Sequence, residues 1–382
     1  MVANLSNHFH PRESTVHELT IAVVGATGAV GTQFLSILEK RYEKLPNIKL
    51  LASSRSAGKV ITVGGREIVV QETTEGSFRD VDIAFIRVPT EVSRKLAPQA
   101  VAEGAVVIDD SSAFRMDESV PLVVPEVNGQ DVEWHNGLIA NPNCSTTPLV
   151  MLCHPLRKHN PIVRIVADTY QSVSGAGAAG IVELEQQSRE LLDGKAKVQA
   201  EAINQQIGFN VIPHIDRFLD DGYTNEERKM MQESRKIMHA PDIAISATCV
   251  RVPVYVSHSA AVHIEFERPM SPGEAREVLE AAPGVTVLDD PAKSEYPMPY
   301  DVTGTDDVFV GRIRRDVSHR NGLVMWVVSD NLRKGAALNS IQIAEELVTR
   351  RRIEPRQPSS AARQPPPRIR SGNLSDSSGA IS

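Results

Sequence analysis

The chain has little cysteine, few aromatics and no long apolar run. Its 382 residues include only three cysteines, Cys144, Cys153 and Cys249. That is too few for a disulfide framework, and a reducing cytoplasm suits them. No apolar stretch reaches the roughly 18 residues of a membrane span, and the first residues lack the apolar segment of a secretory signal. Neither sign of charge dominates. Lys plus Arg is 41 and Asp plus Glu is 48, a net −7, which argues against nucleic acid as the main partner. No metal site is read in it. What remains is 41% hydrophobic and 23% charged, the composition of a packed globular protein. At about 150 residues per domain, the length predicts two domains.

The ends differ from the body. Residues 1–18 read as a loose lead-in. Residues 351–382 hold six arginines against Glu354 and Asp376, with five prolines, seven serines and no apolar periodicity. This tail is expected to be disordered, either a solvated extension or a docking arm for an acidic partner.

Between them, short apolar runs alternate with helical patterns. Strands are predicted at 19–24, 48–52, 81–86 and 105–108, a hairpin at 60–70 around Gly64-Gly65, and helices at 29–40 and 91–102. This alternation is that of a parallel sheet with crossover helices. After about residue 143 the texture changes. Helices are expected near 146–158 and 177–206, with longer strands at 162–170, 243–250, 261–266 and 323–328. The fold class is α/β: a Rossmann-type nucleotide domain (19–143), an α+β catalytic and dimerisation domain (144–330), and a last helix within 331–350 that returns to the first domain.

Gly25-Ala-Thr-Gly28-Ala-Val-Gly31 follows the first strand and opens the first helix. Glycines there allow a tight turn and let a pyrophosphate approach the helix N-terminus. In that context the triplet predicts dinucleotide binding. After the second strand, Ser53-Ser-Arg55-Ser56 replaces the carboxylate that would hold a ribose 2′-hydroxyl. Arg55 and its serines suit a 2′-phosphate instead, so NADP is preferred over NAD.

Asn141-Pro-Asn-Cys144-Ser-Thr-Thr-Pro148 lies where the texture changes. Ser145 to Pro148 are helix-start signals. A cysteine there either has a lowered thiol pKa and acts as a nucleophile or is a small core residue, as lone cysteines commonly are. Cys153 and Cys249 read as core residues.

These segments, together with Ser112-Ala-Phe-Arg115, Val124-Pro-Glu-Val-Asn128, Tyr170-Gln-Ser-Val-Ser-Gly-Ala-Gly177, Asn210-Val-Ile-Pro-His-Ile-Asp216 and Ser246 to Pro253 with His258, resemble the aspartate-semialdehyde dehydrogenase family in order over about 19–350. The resemblance implies NADPH-dependent reductive dephosphorylation of aspartyl 4-phosphate to aspartate 4-semialdehyde, the branch point toward lysine, diaminopimelate, methionine, threonine and isoleucine. It also implies a cytoplasmic homodimer or dimer of dimers. By resemblance, Cys144 is the nucleophile forming an acyl-thioester and His258 the general acid/base. Arg251 and Gln171 bind substrate, and Glu226 meets its ammonium. Arg115 and Lys229 hold phosphate. Thr27, Gly28, Ala29, Val30, Arg55, Ser56, Ser174, Gly175 and Asn331 contact NADP. Rival readings are an N-acetyl-glutamyl-phosphate reductase-like enzyme, a more distant glyceraldehyde-3-phosphate dehydrogenase, and a non-catalytic NADP-binding protein.

One departure stands out. Where that family has small residues after the strand 81–86, this chain has Arg87-Val-Pro-Thr90. The expectation is that Arg87 swings to solvent and Pro89 stiffens the turn, because an arginine aimed into the hydride-transfer site would obstruct the nicotinamide. The alternative is direct contact with a cofactor phosphate or ribose.

Overall fold

The computed structural model describes residues 15–353. The lead-in up to residue 14 and the tail from 354 lie outside the described residues, so the expected tail disorder does too. The first domain contains β1 (Thr20–Val24), α1 (Ala29–Arg41), β2 (Asn47–Ala52), β3 (Val60–Val63), β4 (Arg66–Val69), β5 (Gln71–Glu72), β6 (Ile83–Ile86), α2 (Thr90–Ala102), β7 (Val106–Asp109), α3 (Pro125–Asn128) and β8 (Leu138–Ala140). Six strands pair in parallel in the order β5-β2-β1-β6-β7-β8, with β3–β4 a separate hairpin. The strand order reverses between β1 and β6, the position where open α/β sheets bind ligands. The strands are apolar on both faces because helices cover both. Ala22, Val24, Ala84 and Ile86 pack with Ala97 and Ala100 of α2, and Ile21, Val23 and Phe85 pack with Phe34 and Leu38 of α1.

The second domain contains α4 (Thr146–His159), β9 (Ile162–Gln171), α5 (Ala178–Leu192), α6 (Asn225–Ile237), β10 (Ala244–Arg251), β11 (His258–Phe266), α7 (Pro272–Glu280), β12 (Val285–Val287), α8 (Pro299–Val302), β13 (Val308–Arg315) and β14 (Gly322–Ser329). Its mixed sheet has the order β10-β9-β11-β14-β13-β12. One face packs on α4, α6 and α7 around Leu152, Met230, Val262 and Leu279. The opposite face leaves Val163 and Tyr170 exposed, with Tyr170 against Trp326 at 5.3 Å between ring centroids.

After β14 a π-helical turn (Arg333–Ala337) leads into α9 (Leu338–Thr349). Leu338, Ile341 and Ala344 of α9 enter the core of the first domain beside α1.

The helix expected over 177–206 stops at Leu192. Gly194, at φ +88, turns the chain out of the helix. The following loop is tied to α5 by side chains instead: Glu183 accepts from the backbone N–H of Ala202, and Gln187 from those of Ile207 and Gly208.

Candidate active site

The nucleotide turn is sterically tight. Gly25 has φ +82, and a Cβ there would stand 2.3 Å from the Arg87 carbonyl oxygen; one on Gly31 would stand 2.4 Å from the Gly25 carbonyl oxygen. Gly28 caps α1 without a side chain, which leaves the first helical N–H groups for an anion. Thr27 and Gly28 are exposed, and Ala29 and Val30 partly so. Thr27 Oγ1 lies 3.4 Å from Ser56 Oγ, joining the turn to the loop that carries exposed Arg55. These residues fit a dinucleotide phosphate. A cleft of about 260 Å³ continues from Val30 along Pro89 and Asp110 to Asn141, Pro142 and Ala336.

The expected solvent position of Arg87 is wrong. Its side chain is 2% exposed and its Nη1 lies 2.6 Å from Asp110 Oδ2. Its Cζ stands 4.2 Å above the ring of Phe34 in α1. The carboxylate and the aromatic face offset part of the loss of water; burial still holds the guanidinium below its ordinary range and the Asp110 carboxyl above its own.

The second sheet gathers the chemistry at one edge. Parallel pairing sets Arg251, at the end of β10, beside Gln171, at the end of β9. Antiparallel pairing sets His258, at the start of β11, opposite Ser329, at the end of β14. Asn331 follows two residues later. Cys144 precedes α4 at the same edge, and Gly335 of the π-turn rests against it: a Cβ on Gly335 would lie 3.0 Å from Cys144 Cβ. A Cβ on Gly175 would lie 2.8 Å from Arg251 Nη1 and 3.4 Å from His258 Nε2. Both glycines therefore permit close approach.

Helix α6 supplies the charges. Its N-terminus is fixed by a reciprocal capping box between Thr224 and Glu227. Glu226, Lys229 and Glu233 then share one face by helical spacing. Glu226 Oε1 accepts from Asn143 Nδ2 at 3.0 Å and from Gln171 Nε2 at 3.4 Å. Gln171 Nε2 also donates to Ser145 Oγ at 2.6 Å. Lys229 Nζ pairs with Glu226 at 3.3 Å and with Asp216 at 2.7 Å. Arg115 is buried and held from three sides, by Glu233 Oε1 (3.1 Å), the Asn141 carbonyl (2.9 Å) and the Asp110 carbonyl (2.8 Å). Arg251 Nη1 donates to the Ser172 carbonyl at 2.7 Å.

The thiol departs from expectation. Burial, then the Glu226 carboxylate, push Cys144 up to about 11, against the pull of Arg115, Arg251 and Lys229. Ser145 caps nothing; Asn143 Oδ1 instead accepts the Ser145 N–H at 2.8 Å. Burial and the Arg251 charge push His258 down to about 3. Cys153 and Cys249 are fully buried.

Asn331 Oδ1 accepts from Ser172 Oγ, Ser174 Oγ and the Ser257 N–H at 2.9–3.2 Å. Ser257 has φ +74, a conformation its Asn331 contact and its 2.8 Å bond to Thr303 sustain directly before His258. Sequence reasoning missed Ser257, Asn143, Glu233 and Gly335. Only Gly335 carried a local sign, a glycine inside a helical pattern.

A nucleotide fold joined to a sheet that presents cysteine, histidine, glutamine and arginine at one edge is the arrangement of a nucleotide-dependent dehydrogenase. Two family models match: the semialdehyde dehydrogenase NAD binding domain over residues 20–135, and the semialdehyde dehydrogenase dimerisation domain over 153–334. The aspartate-semialdehyde dehydrogenase of Bacillus subtilis is 51% identical over 337 residues, 86% of this chain and 97% of its own length. The chain belongs to the aspartate-semialdehyde dehydrogenase family, oxidoreductases of amino-acid biosynthesis. The crystal structure of aspartate semialdehyde dehydrogenase II complexed with ASA from Vibrio cholerae matches with TM-score 0.84 at 44% identity, covering 87% of this chain and 98% of that one. The Candida albicans enzyme, solved with NADP, matches with TM-score 0.69 at 28% identity over 86% and 98%.

Proposed function

We propose that this chain converts L-aspartyl 4-phosphate to L-aspartate 4-semialdehyde and phosphate with NADPH, in the cytoplasm, toward lysine, diaminopimelate, methionine, threonine and isoleucine. The observation that carries the reading is the convergence of Cys144, Gln171, Glu226, Arg251 and His258 at one sheet edge. The dinucleotide, when bound, supplies the hydride. Thr27 to Val30 and the free N–H groups of α1 hold its pyrophosphate, Arg55 and Ser56 its 2′-phosphate, and Ser174, Gly175 and Asn331 its nicotinamide end.

The chain's own groups do the rest. Cys144 Sγ attacks the acyl carbon as its proton passes to the leaving phosphate, the bond from the acyl carbon to the phosphate oxygen breaks, and phosphate departs toward Arg115 and Lys229. Arg251 clamps the substrate carboxylate. Gln171 lies beside the thioester, and His258 handles the proton of the collapsing thiohemiacetal. Buried Glu226, with Lys229 at 3.3 Å as its cation, suits a substrate with a free ammonium better than an N-acetylated one, whose amide brings it no charge. The open face around Tyr170 and Trp326 is the surface on which a second copy pairs, as dimer or dimer of dimers. Reduction of NADP by the protein with aspartate semialdehyde and phosphate tests the reading. Phosphate-dependent turnover that is lost in Cys144→Ser is expected. No turnover, or faster turnover of N-acetylglutamate semialdehyde, would reject it.

A further inference from the structure

Arg87 follows β6 at the reversal of strand order, facing the turn that follows β1. Its carbonyl closes against Gly25, its guanidinium lies over Phe34 of α1, and its charge meets Asp110. The second carboxylate oxygen of Asp110 accepts from Ser340 Oγ of α9 at 2.6 Å. Arg87 and Asp110 both line the cofactor cleft. Apart from the Asp110 contact, the guanidinium nitrogens have no partner among the described residues.

Asp110 also reaches Arg115. Its backbone carbonyl accepts from Arg115 Nη2 at 2.8 Å, and the carbonyl of Asn141, on the far wall of the same cleft, accepts from Arg115 Nε at 2.9 Å. Two of the three anchors of Arg115 are thus cleft-wall carbonyls. A buried ion pair is stiff, because neither partner can turn away without leaving a lone charge in the interior. The small residues that the family resemblance leads one to expect at 87–90 could make neither the aromatic nor the ionic contact.

We propose that Arg87 and Asp110 form a strut that ties the occupancy of the cofactor cleft to the placement of Arg115, so that dinucleotide and inorganic phosphate each bind more tightly when the other is present. This rests on the reading above, in which Arg115 faces the substrate phosphate. Arg87 and Asp110 are positioning residues here. They act through Arg115, and the reciprocity of linked binding makes either affinity a valid readout.

The test is titration of NADP into the intact protein with and without saturating inorganic phosphate. Phosphate is expected to tighten NADP by about five- to tenfold in the wild type. In Arg87→Met the ratio should fall to about one, while NADP affinity without phosphate stays within about threefold. Arg87→Lys, which keeps a cation opposite Asp110, should retain most of the ratio. Asp110→Asn keeps the carbonyl and the Ser340 contact but not the charge. It should behave like Arg87→Met, and replaces it if that variant does not fold. A wild-type ratio of one, or an unchanged ratio in both charge-removing variants, overturns the strut. So does a loss of NADP binding beyond about tenfold in Arg87→Met, which would make Arg87 a direct cofactor ligand. Wild-type turnover measured alongside separates the two readings. Coupling without turnover on aspartate semialdehyde dismisses the substrate, and turnover without coupling dismisses the strut.

Discussion

The backbone N–H of Ser172 donates to Nδ1 of His258 at 3.1 Å. A nitrogen that accepts a backbone N–H carries no proton of its own, so the neutral imidazole holds its proton on Nε2. That atom is buried with no partner among the described residues and lies close to Gly175 and Arg251. A second proton would have to displace the Ser172 contact, in keeping with a pKa pushed down to about 3 by burial and Arg251. Because the neutral form persists above that value, ¹⁵N resonances of His258 should show the neutral Nε2–H tautomer from about pH 9 to about pH 5. An imidazolium signal emerging near pH 6.5 would contradict it. His258→Ala should lower turnover by roughly 10²–10⁴.

The Cys144 thiol, held up near 11 by burial and Glu226, is protonated in the free protein. Alkylation by iodoacetamide should therefore keep rising with pH well beyond 8, by about tenfold per pH unit. Glu226→Gln removes the carboxylate that opposes the thiolate, so its alkylation should be faster at any pH below the thiol's midpoint. Equal rates would show that Glu226 does not act on the thiol. By the same logic, a substrate ammonium seated on Glu226, as proposed, would favour the thiolate.

Arg55, proposed to read the 2′-phosphate, is exposed beside the Thr27–Ser56 contact. Arg55→Ala should weaken NADP by roughly tenfold or more, the scale of a charge-assisted hydrogen bond, and leave NAD nearly unchanged. Fluorescence titration of both dinucleotides checks this. Equal losses would remove Arg55 from 2′-phosphate recognition.

At Gly335 an added methyl would meet Cys144 Cβ at 3.0 Å and its Cα and carbonyl oxygen at 3.2 Å. Alanine is otherwise favoured in a helical turn. Gly335→Ala should therefore melt within a few °C of wild type, yet lose several-fold in turnover, because the Cys144 backbone must give by a few tenths of an ångström. Full activity would show that the loop before α4 yields freely.

Much of this was legible from local pattern. The glycine turn after β1, the strand–helix alternation and the cysteine before α4 are short-range signals, and the structure places them at one crevice. Contacts between distant segments were not legible. Arg115 meets Glu233 across 118 residues, and nothing local marks either as the other's partner. The position of Arg87 after β6 brings it to the crevice, but the path of its side chain depends on Asp110 and Phe34, which come from other elements. The helix expected through 206 failed because a periodic pattern cannot show that Glu183 and Gln187 pin the following loop to α5. The thiol was misjudged because the helix terminus was visible in sequence and the buried Glu226 carboxylate beside it was not.

Helix α9 carries a consequence for how the molecule is made. The nucleotide-binding sheet is complete by residue 140, but Leu338, Ile341, Ala344 and Leu347 fill one side of its core. On the ribosome, where domains fold in order of synthesis, that sheet must wait with an apolar face uncovered while roughly two hundred further residues are made. The first domain to be translated is therefore among the last to close. Chains arrested before α9 should be the species that chaperones retain, and splitting the gene between the two sheets should not yield an independent nucleotide-binding module.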